Sequence, residues 1–146
     1  MSERCEIPRA NPTPAEIRDI LTSARRIAVV GHSDDPGRDS YRVGRYMAEH
    51  GFEVFAVNPN ARSTPDLKFY PDLASVPGPI DIVDIFRRPE AIPAIVEEAI
   101  RLGAKTVWMQ LGLADNAAAD RARAAGLKVV MSRCIMQDHR ALATAR

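Results

Sequence analysis

Residues 27–44 read IAVVGHSDDPGRDSYRVG and contain the strand, loop and helix on which the fold assignment depends. The apolar run that ends before Gly31 is apolar on both faces, as a central strand of a parallel sheet requires. Residues 32–38 are rich in Asp, Pro and Gly, which predicts a loop by turn chemistry. A helix is expected to begin at residue 39 or 40 and to run through residue 50, because small and apolar side chains recur at helical spacing.

The same succession of apolar runs and periodic segments continues on both sides of this stretch. Further strands are predicted over residues 52–57, 80–86, 106–110 and 127–131, with a weaker edge strand over 68–70. Helices are predicted over residues 14–23, 89–102 and 115–125, with a helical turn over 72–75. Such alternation predicts an α/β fold: a Rossmann-like three-layer sandwich with a mostly parallel sheet of about five or six strands.

The predicted organisation is a single domain over residues 25–140. Before it we expect a flexible lead-in and a short helix, residues 1–24, in which Thr13 is the N-cap. After it we expect a tail, residues 141–146.

Composition excludes several classes of protein. The 146 residues carry 20 basic and 19 acidic side chains, for a net charge of +1, so the strong basic surplus of a nucleic-acid binder is absent. No apolar run is long enough to span a bilayer, and the N-terminus lacks the apolar core of a secretory signal. Cys5 and Cys134 form no metal or redox motif, so we expect free thiols in the reducing cytoplasm.

A ligand site is expected where the predicted parallel strands end, because open α/β sheets bind ligands beyond their carboxyl edge. The loop after the first strand leads into a helix N-terminus, which is a natural anion site. Gly31 would let the backbone approach a phosphate closely, Ser33 and Ser40 offer hydroxyl groups, and Arg38 offers a positive charge. The sequence therefore predicts that a phosphate group binds at this loop.

A standard NAD site is not favoured by the same residues. The usual G-x-G-x-x-G fingerprint lacks its second glycine here, since Gly31 is followed by His32 and Ser33. The second predicted strand ends at Asn58 rather than at the acidic residue that binds the ribose hydroxyl groups. An apolar slot for the base of a nucleotide is still expected. Pro59, Ile85 and Phe86 lie at or just after strand ends, where they could line it.

Six stretches of the sequence occur in an order that resembles a known family. The stretches are AVVGHSDDPGRDSYRVGRYM, VFAVNPN, YPDLASVP, DIVDIFRRPE, GAKTVWMQLG and SRCIMQDH. Together they resemble the CoA-binding domain family, in its stand-alone form related to the N-terminal domain of the succinyl-CoA synthetase α-subunit. The resemblance runs from about Arg25 to His139, which is most of the chain.

The resemblance implies that coenzyme A lies across the strand ends. On this resemblance, the diphosphate would be held by Gly31, His32 and Ser33, and the adenosine side would be flanked by Asn58, Pro59 and Asn60. The nucleotide would be bordered by Ile85, Phe86 and Arg87. The path of the pantetheine arm would be lined by Gln110, Leu111 and Gly112. His32 departs from the small or aliphatic residue expected there, and we expect it to point outward. The basic partner of the 3′-phosphate is left open among Arg38, Arg62, Arg87 and Arg88.

Catalysis is not indicated by any constellation of residues. His32, His50 and His139 make no metal motif, and no Ser-His-Asp or Cys-His set can be assembled. In the synthetase that the family resembles, chemistry needs a second domain with a phosphorylated histidine and a partner subunit. We therefore expect a protein that binds CoA or an acyl-CoA without catalysis of its own, with a homodimer left open.

Two other functions stay open at this stage. One is an enzyme, either a small NAD(P)-dependent oxidoreductase or a CoA-dependent transferase. The other is a protein-interaction module whose ligand site has been lost. Cys134 is expected to be a buried, inert cysteine, and the alternative is a mixed disulfide with the thiol of CoA.

Overall fold

The computed structural model describes residues 6–144, so Cys5 lies outside the described residues. Its centre is a six-stranded sheet in which every pairing is parallel, in the order β3-β2-β1-β4-β5-β6. The strands are β1 (Arg26–Val30), β2 (Glu53–Val57), β3 (Phe69–Tyr70), β4 (Ile82–Ile85), β5 (Thr106–Met109) and β6 (Lys128–Val130). The predicted Rossmann-like fold and its strand number are confirmed.

Five α-helices cover the two faces of the sheet. They are α1 (Pro14–Ser23), α2 (Asp39–Glu49), α3 (Ile92–Arg101), α4 (Asn116–Ala124) and α5 (Ile135–Thr144). One hydrophobic core joins the sheet to α3 and α4, and a second joins the other face to α1, α2 and α5. The strands serve both cores because successive side chains alternate: Ala28 belongs to the first, whereas Ile27 and Val29 belong to the second.

Side-chain caps explain where α1 and α4 begin. Thr13 and Glu16 form a capping box at the start of α1, and the Asp115 carboxylate accepts from the Ala118 amide at the start of α4. Asp72 caps a short 3₁₀ turn over Leu73–Ser75 in the same way. Among the helices of residues 6–144, none has the length and hydropathy needed to cross a bilayer.

The single helix predicted over residues 89–102 is divided in two. A 3₁₀ turn over Pro89–Ala91 comes first, and α3 starts only at Ile92. Pro93 accounts for the division, because it has no N–H to donate to the carbonyl of Pro89 and so cannot continue an α-helix begun there.

Helix α5 was not predicted, and residues 141–144 continue it rather than forming a tail. Its first amide, that of Ile135, donates to the side-chain oxygen of Gln110 at the end of β5. Ile135 is fully buried with α1 and α2, and Met136 and Leu142 pack beside it. The helix start therefore depends on a tertiary contact across 25 residues, which local patterns do not reveal.

The segment before α1 is not the flexible lead-in that was expected, within the part that the structure describes. The Glu6 carboxylate accepts from both the amide and the side chain of Asn116. The Asn11 side chain makes two hydrogen bonds with the backbone of Met131, donating to its carbonyl and accepting from its amide. The segment thereby covers the end of the edge strand β6.

Gly31 provides the first test of this architecture. It has a φ of +93°, and a Cβ there would overlap the carbonyl oxygen of Phe86. Gly126 is a matched control, because its φ is +95° but a Cβ would meet nothing within 4 Å. We expect Gly126→Ala to lower the free energy of unfolding by about 1–2 kcal/mol through backbone strain alone. Gly31→Ala should lose about 1–3 kcal/mol more through the clash.

Urea denaturation of the two variants and the wild type measures both values. Equal losses in the two variants would show that the ends of β1 and β4 are not in close contact.

Candidate functional site

The strand order reverses between β1 and β4, and two clefts open at the carboxyl edge on either side of this point. The β2 cleft, of about 410 Å³, is lined by Val30, Gly31, Val57, Pro59, Pro71, Asp72, Leu73, Arg87, Ala91, Ala94, Ile95 and Glu98. The β5 cleft, of about 500 Å³, is lined by Asp39, Arg42, Val43, Phe86, Arg87, Arg88, Gln110, Leu111, Leu113, Cys134, Met136 and Gln137. Both volumes fall within the range of small-molecule sites. Arg87 lines both clefts, so they meet over the sheet edge.

The loop between β1 and α2 is held by hydrogen bonds within it and by hydrogen bonds to β2 and α2. The Gly31 amide donates to the Val57 carbonyl at 2.8 Å, and the Ser33 amide donates to the Ser40 hydroxyl at 2.9 Å. The Ser33 hydroxyl in turn accepts from the Asp35 amide. The amides of Gly31 and Ser33 are therefore occupied, whereas those of His32 and Asp34 make no hydrogen bond to the described residues.

His32 is buried, so the expectation that it points outward is wrong. Its side chain is 2% exposed, and its ring meets Tyr41 and Phe69 edge-on. A Cβ at Gly44 would lie only 2.5 Å from Nε2, so that glycine makes room for the ring. Nδ1 lies 2.7 Å from the Ser33 carbonyl, which makes Nδ1 the donor. Burial lowers the pKa of His32, and the neutral ring acts as an internal brace for the loop.

Asn58, where the NAD fingerprint would place an acid, connects two loops. Its side-chain amide donates to the His32 carbonyl at 3.0 Å, and its side-chain oxygen accepts from the Asn60 amide at 2.9 Å. The turn formed in this way brings Pro59 to the wall of the β2 cleft. Asn58 and Asn60 thus shape the site, while Pro59 faces it.

The N-terminus of α2 carries no side-chain cap, unlike those of α1 and α4. Arg38 occupies the N-cap position and makes no capping hydrogen bond. The amides of Asp39, Ser40 and Tyr41 come in the first turn, where no helical carbonyl is available to accept from them. The positive end of the helix dipole therefore adjoins the β5 cleft, and no residue in the range 6–144 accepts from its first amides.

Three arginines, Arg42, Arg87 and Arg88, line the β5 cleft. Arg42 was missed by the sequence reasoning, although it stands one helical turn after Asp39, with which it forms an ion pair. Arg87 and Arg88 are exposed, and their guanidinium groups make no hydrogen bond or ion pair with the described residues. The other two candidates for the 3′-phosphate, Arg38 and Arg62, line neither cleft.

The predicted residues around β4 and β5 divide into two groups. Phe86, Gln110 and Leu111 line the β5 cleft, and Leu111 is 63% exposed at its mouth. Ile85 is fully buried in the core beside α3 and α4 and lines neither cleft. Gly112 does not line them either; its amide donates to the hydroxyl of Ser132 at 3.1 Å and holds the loop.

Asp84 is a buried acid that sequence reasoning did not single out. Its side chain is fully buried, and neither carboxyl oxygen has a hydrogen-bond partner among the described residues. Burial raises the pKa of Asp84 well above its ordinary value of 3.8, so the side chain is a neutral acid near that pH. Asp84 lies on β4, two residues before Phe86, within an apolar run of the sequence. Its charged side chain in that run was the only sequence signal that could have pointed to it.

The remaining candidates take these places. Cys134 is a buried free thiol at the wall of the β5 cleft. Nδ1 of His139 shares a hydrogen bond of 2.9 Å with the hydroxyl group of Tyr46, where α2 meets α5. The ring of His50 stacks on the ring of Tyr46. Within residues 6–144, no group of three or more His, Cys, Asp or Glu side chains could hold a metal ion.

Comparison with known proteins gives consistent matches. A family model described as a CoA binding domain matches residues 25–140. The chain is 40% identical over 129 residues to the uncharacterized protein YneT of Bacillus subtilis, covering 88% of this chain and 96% of YneT. It also resembles the solved structure of a hypothetical protein from Pyrococcus horikoshii OT3, with a TM-score of 0.87 and 39% identity. That match covers 94% of this chain and 97% of the other.

A more distant match is to the ADP-forming acetate–CoA ligase II of Archaeoglobus fulgidus. The two sequences are 28% identical over 99 residues. The matched region covers 66% of this chain but only 15% of the ligase.

The buried Asp84 makes folding stability depend on pH. The folded protein keeps a proton that the unfolded chain releases near pH 3.8. The free energy of unfolding therefore falls as pH rises above that value, until the raised pKa of the folded state is reached. We expect Asp84→Asn to abolish this pH dependence of the free energy of unfolding. In the wild type it amounts to about 1.4 kcal/mol per pH unit between pH 3.8 and the raised pKa of the folded state.

Urea denaturation of both proteins between about pH 5 and about pH 7 measures the difference. Because His32 and His139 are present in both, their titration does not affect it. Parallel stability curves for the two proteins would contradict the prediction.

Proposed function

We propose, from the premise that this chain belongs to the CoA-binding domain family, that it binds coenzyme A or an acyl-CoA at the carboxyl edge of its sheet. The observation that carries the proposal is the N-terminus of α2, which has no side-chain cap, beside two arginines that pair with no described residue, at the point where the strand order reverses. The phosphate groups of CoA need a positively charged site with free donors. Its adenine base and its pantetheine arm need apolar clefts on either side of that site.

The phosphates are assigned to the α2 side of the sheet edge. The unused amides at the start of α2 donate to one phosphate group, and Arg87 and Arg88 reach it or its neighbour with charged hydrogen bonds. A helix terminus contributes about 0.3–1 kcal/mol and a charged hydrogen bond about 1.5–3 kcal/mol. Micromolar affinity needs about 8 kcal/mol after association costs, so the remainder must come from apolar contacts.

Those apolar contacts are divided between the two clefts. The β2 cleft has the larger apolar wall, built from Val57, Pro59, Leu73 and Ile95 among others, and we assign the adenine base to it. The β5 cleft is more polar and is bordered by Gln110, Leu111 and Cys134; we assign the pantetheine arm to it. The arm carries amide groups, for which Gln110 offers a side-chain NH₂ group not used within the described residues.

The proposal is limited to binding. The region matched in the Archaeoglobus ligase is a small part of that enzyme, and ligation is not assigned to this chain. A free cysteine at the cleft suits the reducing cytoplasm, which we propose as the compartment. The assembly, including a homodimer, is left as an expectation.

Arg87 offers the direct test of this site. Isothermal titration with CoA should show that Arg87→Ala weakens binding by about tenfold to a hundredfold, because a charged hydrogen bond to phosphate is lost. Arg121→Ala is the matched control: that arginine pairs with Glu97 on the surface and should leave the affinity unchanged. Dephospho-CoA identifies the phosphate involved, since a loss seen with CoA alone places Arg87 at the 3′-phosphate.

Two results would overturn the proposal. One is the absence of any heat of binding for CoA with the wild-type protein freed of bound ligand. The other is tighter binding of NAD(P) than of CoA, which would favour the oxidoreductase alternative.

A further inference from the structure

Asp84 is set apart from the other buried polar side chains. Ser40 accepts from the Ser33 amide, Gln110 accepts from the Ile135 amide, and Asn116 bonds to Glu6. The Asp84 carboxyl group has no partner within residues 6–144, although no part of it is exposed. An unpaired buried carboxyl group destabilises a fold, so stability does not account for an acid at this position.

The strand register places Asp84 directly below the β5 cleft. Asp84 lies beside Val29 of β1 and Trp108 of β5, on the sheet face that packs against α1, α2 and α5. Phe86 and Gln110 each follow by two residues and form the next row on that face, about 7 Å nearer the sheet edge. Both of them line the cleft. The acid therefore stands one row beneath the cleft wall.

The groups packed around Asp84 leave it without a competing partner. On the same face, α2 contributes Val43 and Met47, α5 contributes Ile135, and Cys134, the residue before α5, contributes its thiol. The indole N–H of Trp108 is committed to the Arg133 carbonyl at 2.8 Å. Arg133 itself pairs with Asp138. Among the described residues, no charged side chain perturbs Asp84, and burial raises its pKa, which favours the protonated acid.

We propose that Asp84 is a specificity-determining residue that favours acyl thioesters over the free thiol of CoA. A neutral carboxylic acid donates one O–H, and the thioester carbonyl is a good acceptor for it, whereas a thiol sulfur is a poor one. For the acyl carbonyl to reach the acid, the ring of Phe86, which is half-buried and lines the cleft in the row above, has to turn aside. This inference rests on the proposed function, because it needs the pantetheine arm to lie in the β5 cleft.

The test compares acetyl-CoA with CoA by isothermal titration. For the wild type we expect acetyl-CoA to bind about two- to tenfold more tightly, the worth of one hydrogen bond. Asp84→Asn keeps a donor of similar size and should keep the preference. Asp84→Val removes the donor and should abolish the preference, with the affinity for CoA itself unchanged. Thr106→Val is the matched control, a buried polar position at the far end of β5, and should leave the preference unchanged.

A spectroscopic measurement separates this role from a structural one. Isotope-edited infrared spectra of carbon-13 acetyl-CoA should show the thioester carbonyl band at lower frequency in the wild type and in Asp84→Asn, but not in Asp84→Val. Thermal melting checks that each variant folds, and Asp84→Ala replaces Asp84→Val if the latter does not.

The outcomes separate the inference from the proposed function. An unchanged ratio of the two affinities in the apolar variant, or equal affinities in the wild type, would overturn the inference and leave CoA binding intact. Failure of the wild type to bind either compound would overturn both.

Discussion

The carboxyl edge of the sheet is organised by backbone hydrogen bonds that join the strand ends. The Gly31 amide donates to Val57 at the end of β2, the Phe86 amide donates to Val30 at the end of β1, and the Gln110 amide donates to Ile85 at the end of β4. Three loops therefore leave the sheet from nearly the same place, and the left-handed backbone at Gly31 permits that approach. Both clefts and the start of α2 derive their positions from this junction.

Once the junction is formed, the polar groups of the site fall into two sets. Most are satisfied internally: the hydroxyls of Ser33 and Ser40, the buried His32 and both ends of Asn58 hold the loops in place. The remaining set consists of donors, namely the first amides of α2 and the guanidinium groups of Arg87 and Arg88. Such an excess of unused donors at one edge is what a ligand with several phosphates requires.

The same junction also fixes the position of Asp84 beneath the wall of the β5 cleft. The junction places Phe86 and Gln110 at the cleft wall, and the pleat of the parallel sheet then places Asp84 and Trp108 in the row below. A buried carboxyl group that has no partner among residues 6–144 weakens the fold, and a ligand in the cleft above it would give it a role. Under the proposal made for Asp84, the stability of the sheet and the selectivity of the site make opposite demands on one residue.

The sequence by itself determined the alternation of strands and helices and the parallel sheet, and it predicted the edge at which we propose the site. These features follow from apolar periodicity, from glycine and proline at turns, and from capping residues such as Thr13 and Asp115, all of which act over a few positions. The match of six ordered motifs added the family. Arg42, one turn into α2, could have been found from its spacing alone.

Other features were decided only by the tertiary structure, because they depend on residues distant in the chain. His32 turns inward since Gly44 and Phe69 leave room for its ring, and α5 starts where Gln110 accepts its first amide. Ile85 is buried because α3 covers it, and Asp84 lacks a partner because the helices on its face present apolar side chains there. Burial and pairing of this kind are properties of the assembled layers, and no local pattern of residues encodes them.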